Sequence, residues 1–82
     1  MKIGLDGPFP GTPEGISVDG RGRIYISDYD RGLVEVLSPE GELMMVFGEA
    51  ELRSPVDIAI GSDGLVYVTD QQTSLLQIYL TK

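Results

Sequence analysis

The apolar residues of this chain fall in short runs separated by turn chemistry. Ile16 to Val18, Ile24 to Ser27, Val34 to Leu37 and Leu43 to Phe47 form one series, rich in β-branched residues, and each predicts a strand. Ile58 to Ile60, Leu65 to Thr69 and Leu75 to Leu80 form a second series. The segments Asp19 to Gly22, Asp28 to Gly32, Ser38 to Gly41 and Gly61 to Gly64 supply the turns. Many runs are apolar at consecutive positions instead of alternating, which suits sheets covered on both faces. No helical period emerges; Glu49 to Arg53 has room for a single turn before Pro55.

The two series are one pattern written twice. Pro13-Glu14-Gly15-Ile16-Ser17-Val18 aligns with Pro55-Val56-Asp57-Ile58-Ala59-Ile60, an offset of 42 residues. The register runs on without a gap through Gly22 and Gly64, Tyr25 and Tyr67, Asp28 and Asp70, and Leu33 and Leu75. A period of about 40–45 residues is that of a four-stranded propeller blade. The same offset lays Met1 to Leu5 on Leu43 to Phe47, and the connector Asp6 to Thr12 on Gly48 to Ser54. The second repeat stops after its third strand, so its fourth strand is expected at the front of the chain. This divides the sequence into a strand and connector (1–12), a first blade with its connector (13–54) and a three-stranded second blade (55–82).

With Pro13, Gly15, Ile16, Val18, Asp19, Gly22, Ile24, Tyr25, Ile26, Asp28, Val34, Val36, Phe47 and Gly48 in place, the chain resembles the NHL repeat family. The resemblance runs over nearly the whole length. It departs after Asp28 and Asp70, where Arg31-Gly32-Leu33 and Thr73-Ser74-Leu75 stand in place of the family's Asn-x-Arg. Ligand contacts that the family makes through that arginine are therefore not carried over. The resemblance implies an all-β fold of two four-stranded blades per chain. It also implies a six-bladed β-propeller, hence a homotrimer, with an eight-bladed homotetramer as the alternative.

Length points the same way. A chain of 82 residues buries only about 60% of its unfolded surface when it folds alone. It has no cysteine for a disulfide, which leaves oligomerisation as the source of further buried surface. The expected joint pairs Met1, Ile3 and Leu5 of one copy with Leu76, Ile78 and Leu80 of a neighbour. Two repeats are also the size of an engineered, reconstructed or excised propeller piece.

Composition narrows function mainly by exclusion. Thirteen acids against six Lys and Arg give a net charge of −7, which disfavours nucleic acid and anionic membranes as partners. No N-terminal apolar h-region reads as a signal peptide, and no run reaches the length of a membrane span. The absence of cysteine fits reducing and oxidising compartments alike. The chain contains no His, Cys, Asn or Trp, so triads with histidine and zinc sites with His or Cys cannot form within it. No cofactor is expected.

Carboxylates are the remaining chemistry. In a propeller of the kind the chain resembles, Glu14, Asp57, Tyr29 and Arg31 fall on the mouth of the central tunnel. Repeated around an axis, Glu14 and Asp57 could hold a hard cation such as Ca²⁺. The competing reading, which we favour, leaves Glu14 solvated and Asp57 bonded to nearby backbone. Asp28-Tyr29-Asp30 opens like a calcium loop but fails as an EF-hand at Gly32 and Pro39. Asp28 and Asp70, at one repeat position, are expected to turn back onto loop amides. Tyr25 and Tyr67 read as packing between blades, and Gly20 and Gly22 as turn residues. The function expected is a non-catalytic, self-assembling scaffold. The alternative is a ligand- or cation-binding ring, with a weak metal-dependent hydrolase last.

Overall fold

The computed structural model describes residues 11–80. Seven strands follow one another: β1 (Pro13–Val18), β2 (Ile24–Asp28), β3 (Leu33–Leu37), β4 (Leu43–Phe47), β5 (Pro55–Ile60), β6 (Leu65–Asp70) and β7 (Leu75–Leu80). They form two antiparallel meanders, one of order β1-β2-β3-β4 and one of order β5-β6-β7. Among the described residues the expected strands are all present, and β1 and β5 reach further back, to the prolines that open them. Proline is tolerated at the first residue of a strand because that position need not donate to a ladder. The stretch after β4 makes one turn, with Leu52 N–H donating to Gly48 carbonyl at 2.8 Å. The expected strand at Met1 to Leu5, with Met1, Ile3 and Leu5, lies outside the described residues.

The sheets nest face to face. On β2 and β3, Tyr25, Val34 and Val36 point to the second sheet and are buried. Val66 and Val68 meet them from β6, and Leu52 enters from the connector. Phe47, Ile58, Ile60 and Tyr79 close the rim of this core. The inner strands touch backbone to backbone, β1 and β2 against β5. A Cβ on Gly15 would stand 2.4 Å from the Val56 carbonyl oxygen, so only glycine permits that approach. Ser27 Oγ ties the contact together, accepting the Gly15 N–H at 2.8 Å and donating to the Val56 carbonyl at 2.6 Å. At the outer strands the gap is filled by rings, with Phe47 and Tyr79 centroids 4.8 Å apart.

Each sheet is closed at one end by an aspartate. Asp70 Oδ2 accepts from the N–H groups of Arg53 (2.6 Å) and Ser54 (3.1 Å). Its Oδ1 accepts from Gln72 (3.0 Å) and Thr73 (3.1 Å). Asp28 Oδ1 does the same work for Thr12 and Arg31. The expectation that both aspartates turn back onto loop amides is met. Each clamp fastens the strand entrance to the turn after the second strand. That turn ends in the left-handed region, at Gly32 (φ 67°) in one repeat and Ser74 (φ 58°) in the other.

Two substitutions test this account. Asp70→Ala strands four backbone donors at once and should lower unfolding free energy by roughly 2–4 kcal/mol in urea titration. Ser74→Gly removes the Cβ from a left-handed residue and should raise it by roughly 0.5–1 kcal/mol in the same assay.

Candidate functional site

The four residues expected at a tunnel mouth lie toward one end of the sheets. Glu14 is exposed at the start of β1, and Asp57 is exposed in β5. The two strands are adjacent there, since a Cβ on Gly15 would also meet Asp57 Cα at 3.3 Å. The Asp57 N–H donates to Thr69 Oγ1 at 3.1 Å, so it is the backbone of Asp57 that is held. Tyr29 is half-buried in the β2–β3 turn, and its N–H donates to the Thr12 carbonyl at 2.9 Å. Thr12 Oγ1 also donates to the Asp30 carboxylate. Arg31 turns from the mouth toward its own sheet, its guanidinium 3.5 Å from Glu35. Among the described residues no three acids converge closely enough to hold a metal ion.

Sequence reasoning passed over Glu35. It stands in the middle of β3 between Val34 and Val36, and its side chain is fully buried. Burial pushes its pKa up, the neighbouring Asp28 carboxyl pushes it further, and Arg31 opposes both; the result is about 7. Asp28 Oδ2 and Glu35 Oε1 are both buried without a hydrogen-bond partner. A second carboxyl in the same dry place favours the protonated form of Glu35. Neither side chain is open to a substrate. A single charged residue inside an apolar run was the available signal, and at the matching repeat position Gln77 stands in its place.

The other end of the sheets carries a groove of about 580 Å³ between the β1–β2 and β5–β6 turns. Asp19 organises it. Its carboxylate takes the Arg23 guanidinium at 2.6 Å and the Tyr25 hydroxyl at 3.1 Å. It also accepts the N–H groups of Arg21 and Arg23. Burial pushes the Asp19 pKa up, but these four donors outweigh it and hold the pKa below the usual value. Arg21 and Arg23 share one lip with Asp19, and Asp63 stands on the other, so the groove carries charges of both signs.

These carboxyls set a pH dependence with two limbs. Asp19 and Asp70 have lowered pKa values. In Asp70 burial pushes upward and four backbone N–H groups prevail over it. Their contribution to stability is present above 3.8, the ordinary value, and is lost as pH falls below it. Glu35 acts in the opposite sense: its contribution is full below 4.5 and is lost as pH rises toward about 7. The melting temperature should therefore peak near pH 4–5, between those two limbs. Glu35→Gln should remove the decline on the alkaline side and leave the acid limb unchanged in a melting series across pH.

Comparison with known proteins agrees with this architecture. No curated protein matches the chain. The family model of the NHL repeat matches residues 52–79, which run from the connector through β5, β6 and into β7. That segment falls in the second copy of the internal repeat, and the first copy folds to the same strand order and carries an aspartate clamp at the matching position. The chain is thus an all-β pair of blade-like sheets, and its residues 52–79 match the NHL repeat.

Proposed function

We propose that this chain is a non-catalytic scaffold that assembles with copies of itself into a closed β-propeller. Three copies make a six-bladed ring, and four copies make the alternative eight-bladed ring. One observation carries the reading: the apolar surface is unfinished at both ends of the sheet stack. Leu76, Ile78 and Leu80 of β7 are exposed, Leu80 by 62%. Ile16 and Val18 of β1 are exposed too, by 67% and 56%. Exposed contiguous apolar surface of this kind favours association. Ring closure covers both ends with one head-to-tail contact.

Among the described residues no strand pairs with the outer edge of β7. In the proposed ring, the strand with Met1, Ile3 and Leu5 of a neighbour takes that edge. Ladder and face together would bury on the order of 2,000 Å² per joint, the size of an obligate contact. The acidic mouth residues Glu14 and Asp57 would then encircle the axis, which is what the cation-binding reading draws on.

Native mass spectrometry decides between these outcomes. The expected result is a trimer, or else a tetramer, that reverts to monomer when residues 1–5 are deleted. A stable, folded monomer of the full chain would refute the proposal. A ring that retains Ca²⁺ through buffer exchange would favour the cation-binding alternative.

A further inference from the structure

The internal repeat specifies the faces that meet. Inside the chain, the face of the first sheet bearing Ser27, Tyr25 and Val36 packs on the face of the second bearing Ile58 and Val68. The offset of 42 turns those two faces into the outer ones, which are exposed at Ile16 and Val18 and at Leu76 and Ile78 but buried at Ile26, the counterpart of Val68. Ser27, Tyr25 and Val36 become Thr69, Tyr67 and Ile78, on the open side of β6 and β7. Cross-strand register puts Tyr67 beside Ile78 and Thr69 beside Leu76 on that side. Ile58 and Ile60 become Ile16 and Val18, on the open side of β1.

The hydrogen-bond pattern is copied as well. Ser27 Oγ accepts the Gly15 N–H and donates to the Val56 carbonyl. Thr69 Oγ1 accepts the Asp57 N–H in the same way. The acceptor that corresponds to Val56 is the carbonyl of Glu14.

We infer that the open face of β6 and β7 takes the open face of β1 from a second copy, with Thr69 Oγ1 donating to the Glu14 carbonyl of that copy. This rests on the self-assembly just proposed and names its joint. The joint is wider than the one inside the chain. Where Gly15 allows the Val56 carbonyl to close in, the matching residue is Asp57, and a Cβ there meets the neighbour's Glu14 carbonyl. Two positions shrink slightly, Ser17 against Ala59 and Ile60 against Val18, while Ser27, Val34 and Val36 give way to the larger Thr69, Leu76 and Ile78. The wider gap is thus filled by added methyl and methylene groups, as close packing requires. The contact is head to tail, so each copy has one donor face and one acceptor face.

Sedimentation velocity on two variants tests this. Ile16→Glu spoils the β1 face and Ile78→Glu spoils the β7 face; both residues are exposed, so each variant should keep the wild-type circular dichroism spectrum. Each alone should be monomeric. Mixed, they retain one sound joint between them and should form a 1:1 heterodimer that grows no further. If either variant misfolds, Val18→Glu and Leu76→Glu replace them. An Ile16→Glu variant that assembles like wild type, or a mixture that stays monomeric, overturns the inference while leaving self-assembly standing. A monomeric wild type overturns both.

Discussion

The approach of β1 to β5 at Gly15 and Val56 governs the rest of the structure. Two backbones can come this close only where a side chain is missing and the polar groups are satisfied. Gly15 supplies the first condition, and the Ser27 hydroxyl supplies the second by bonding to both strands. At the far side of the sheets the same gap holds Phe47, Tyr79 and Leu52. The pair of sheets is therefore a wedge, narrow at the first strands and wide at the last. Stacked wedges turn through an angle at each joint, which is how blade-like sheets come to encircle an axis.

The aspartate clamps are the second element on which this wedge depends. A blade entrance is a connector with no ladder of its own, and its N–H groups need acceptors. Asp70 gathers four of them from both sides of the sheet end, which fixes the connector against the turn. The Asp28 clamp is less complete, for its Oδ2 lies buried without a partner beside Glu35. The two repeats thus share a backbone solution but not its electrostatics. One clamp is a fully bonded carboxylate, and the other stands beside Glu35, whose pKa is raised by burial and by that carboxyl.

Most of the fold was legible in the residues, because the repeat doubles every weak local signal. Tyr25 and Tyr67, Asp28 and Asp70, and the paired turns each gain weight from recurrence, and the clamp role of the aspartates followed from it. The strand starts at Pro13 and Pro55 were less legible, since proline and glutamate have little strand propensity and are held there by pairing with Asp28, Asp70 and their neighbours. The site was legible only in part. Glu14 and Asp57 do lie on adjacent strands, but Arg31 is drawn to the buried carboxyl of Glu35, four residues on in β3. The spacing is short, but the burial that makes Glu35 a partner is set by tertiary packing. Glu35 itself is visible only as the position where the repeat exchanges Gln77 for an acid.

Departures from the repeat carry information that its agreements do not. Had the two copies been identical, every joint in an assembly would be equivalent, and the chain could pair its own sheets or a neighbour's with equal ease. Gly15 against Asp57, and Ser27 against Thr69, remove that degeneracy. The narrow face fits only where β1 and β5 can touch, which favours the two sheets of one chain. The bulkier face would clash at that spacing and packs well only at a wider one. Discrimination of this kind works by excluding the wrong neighbour as much as by attracting the right one. In a chain this short, the close joint holds the sheets together, and in the proposed assembly the wide joint is the one that a second copy would complete.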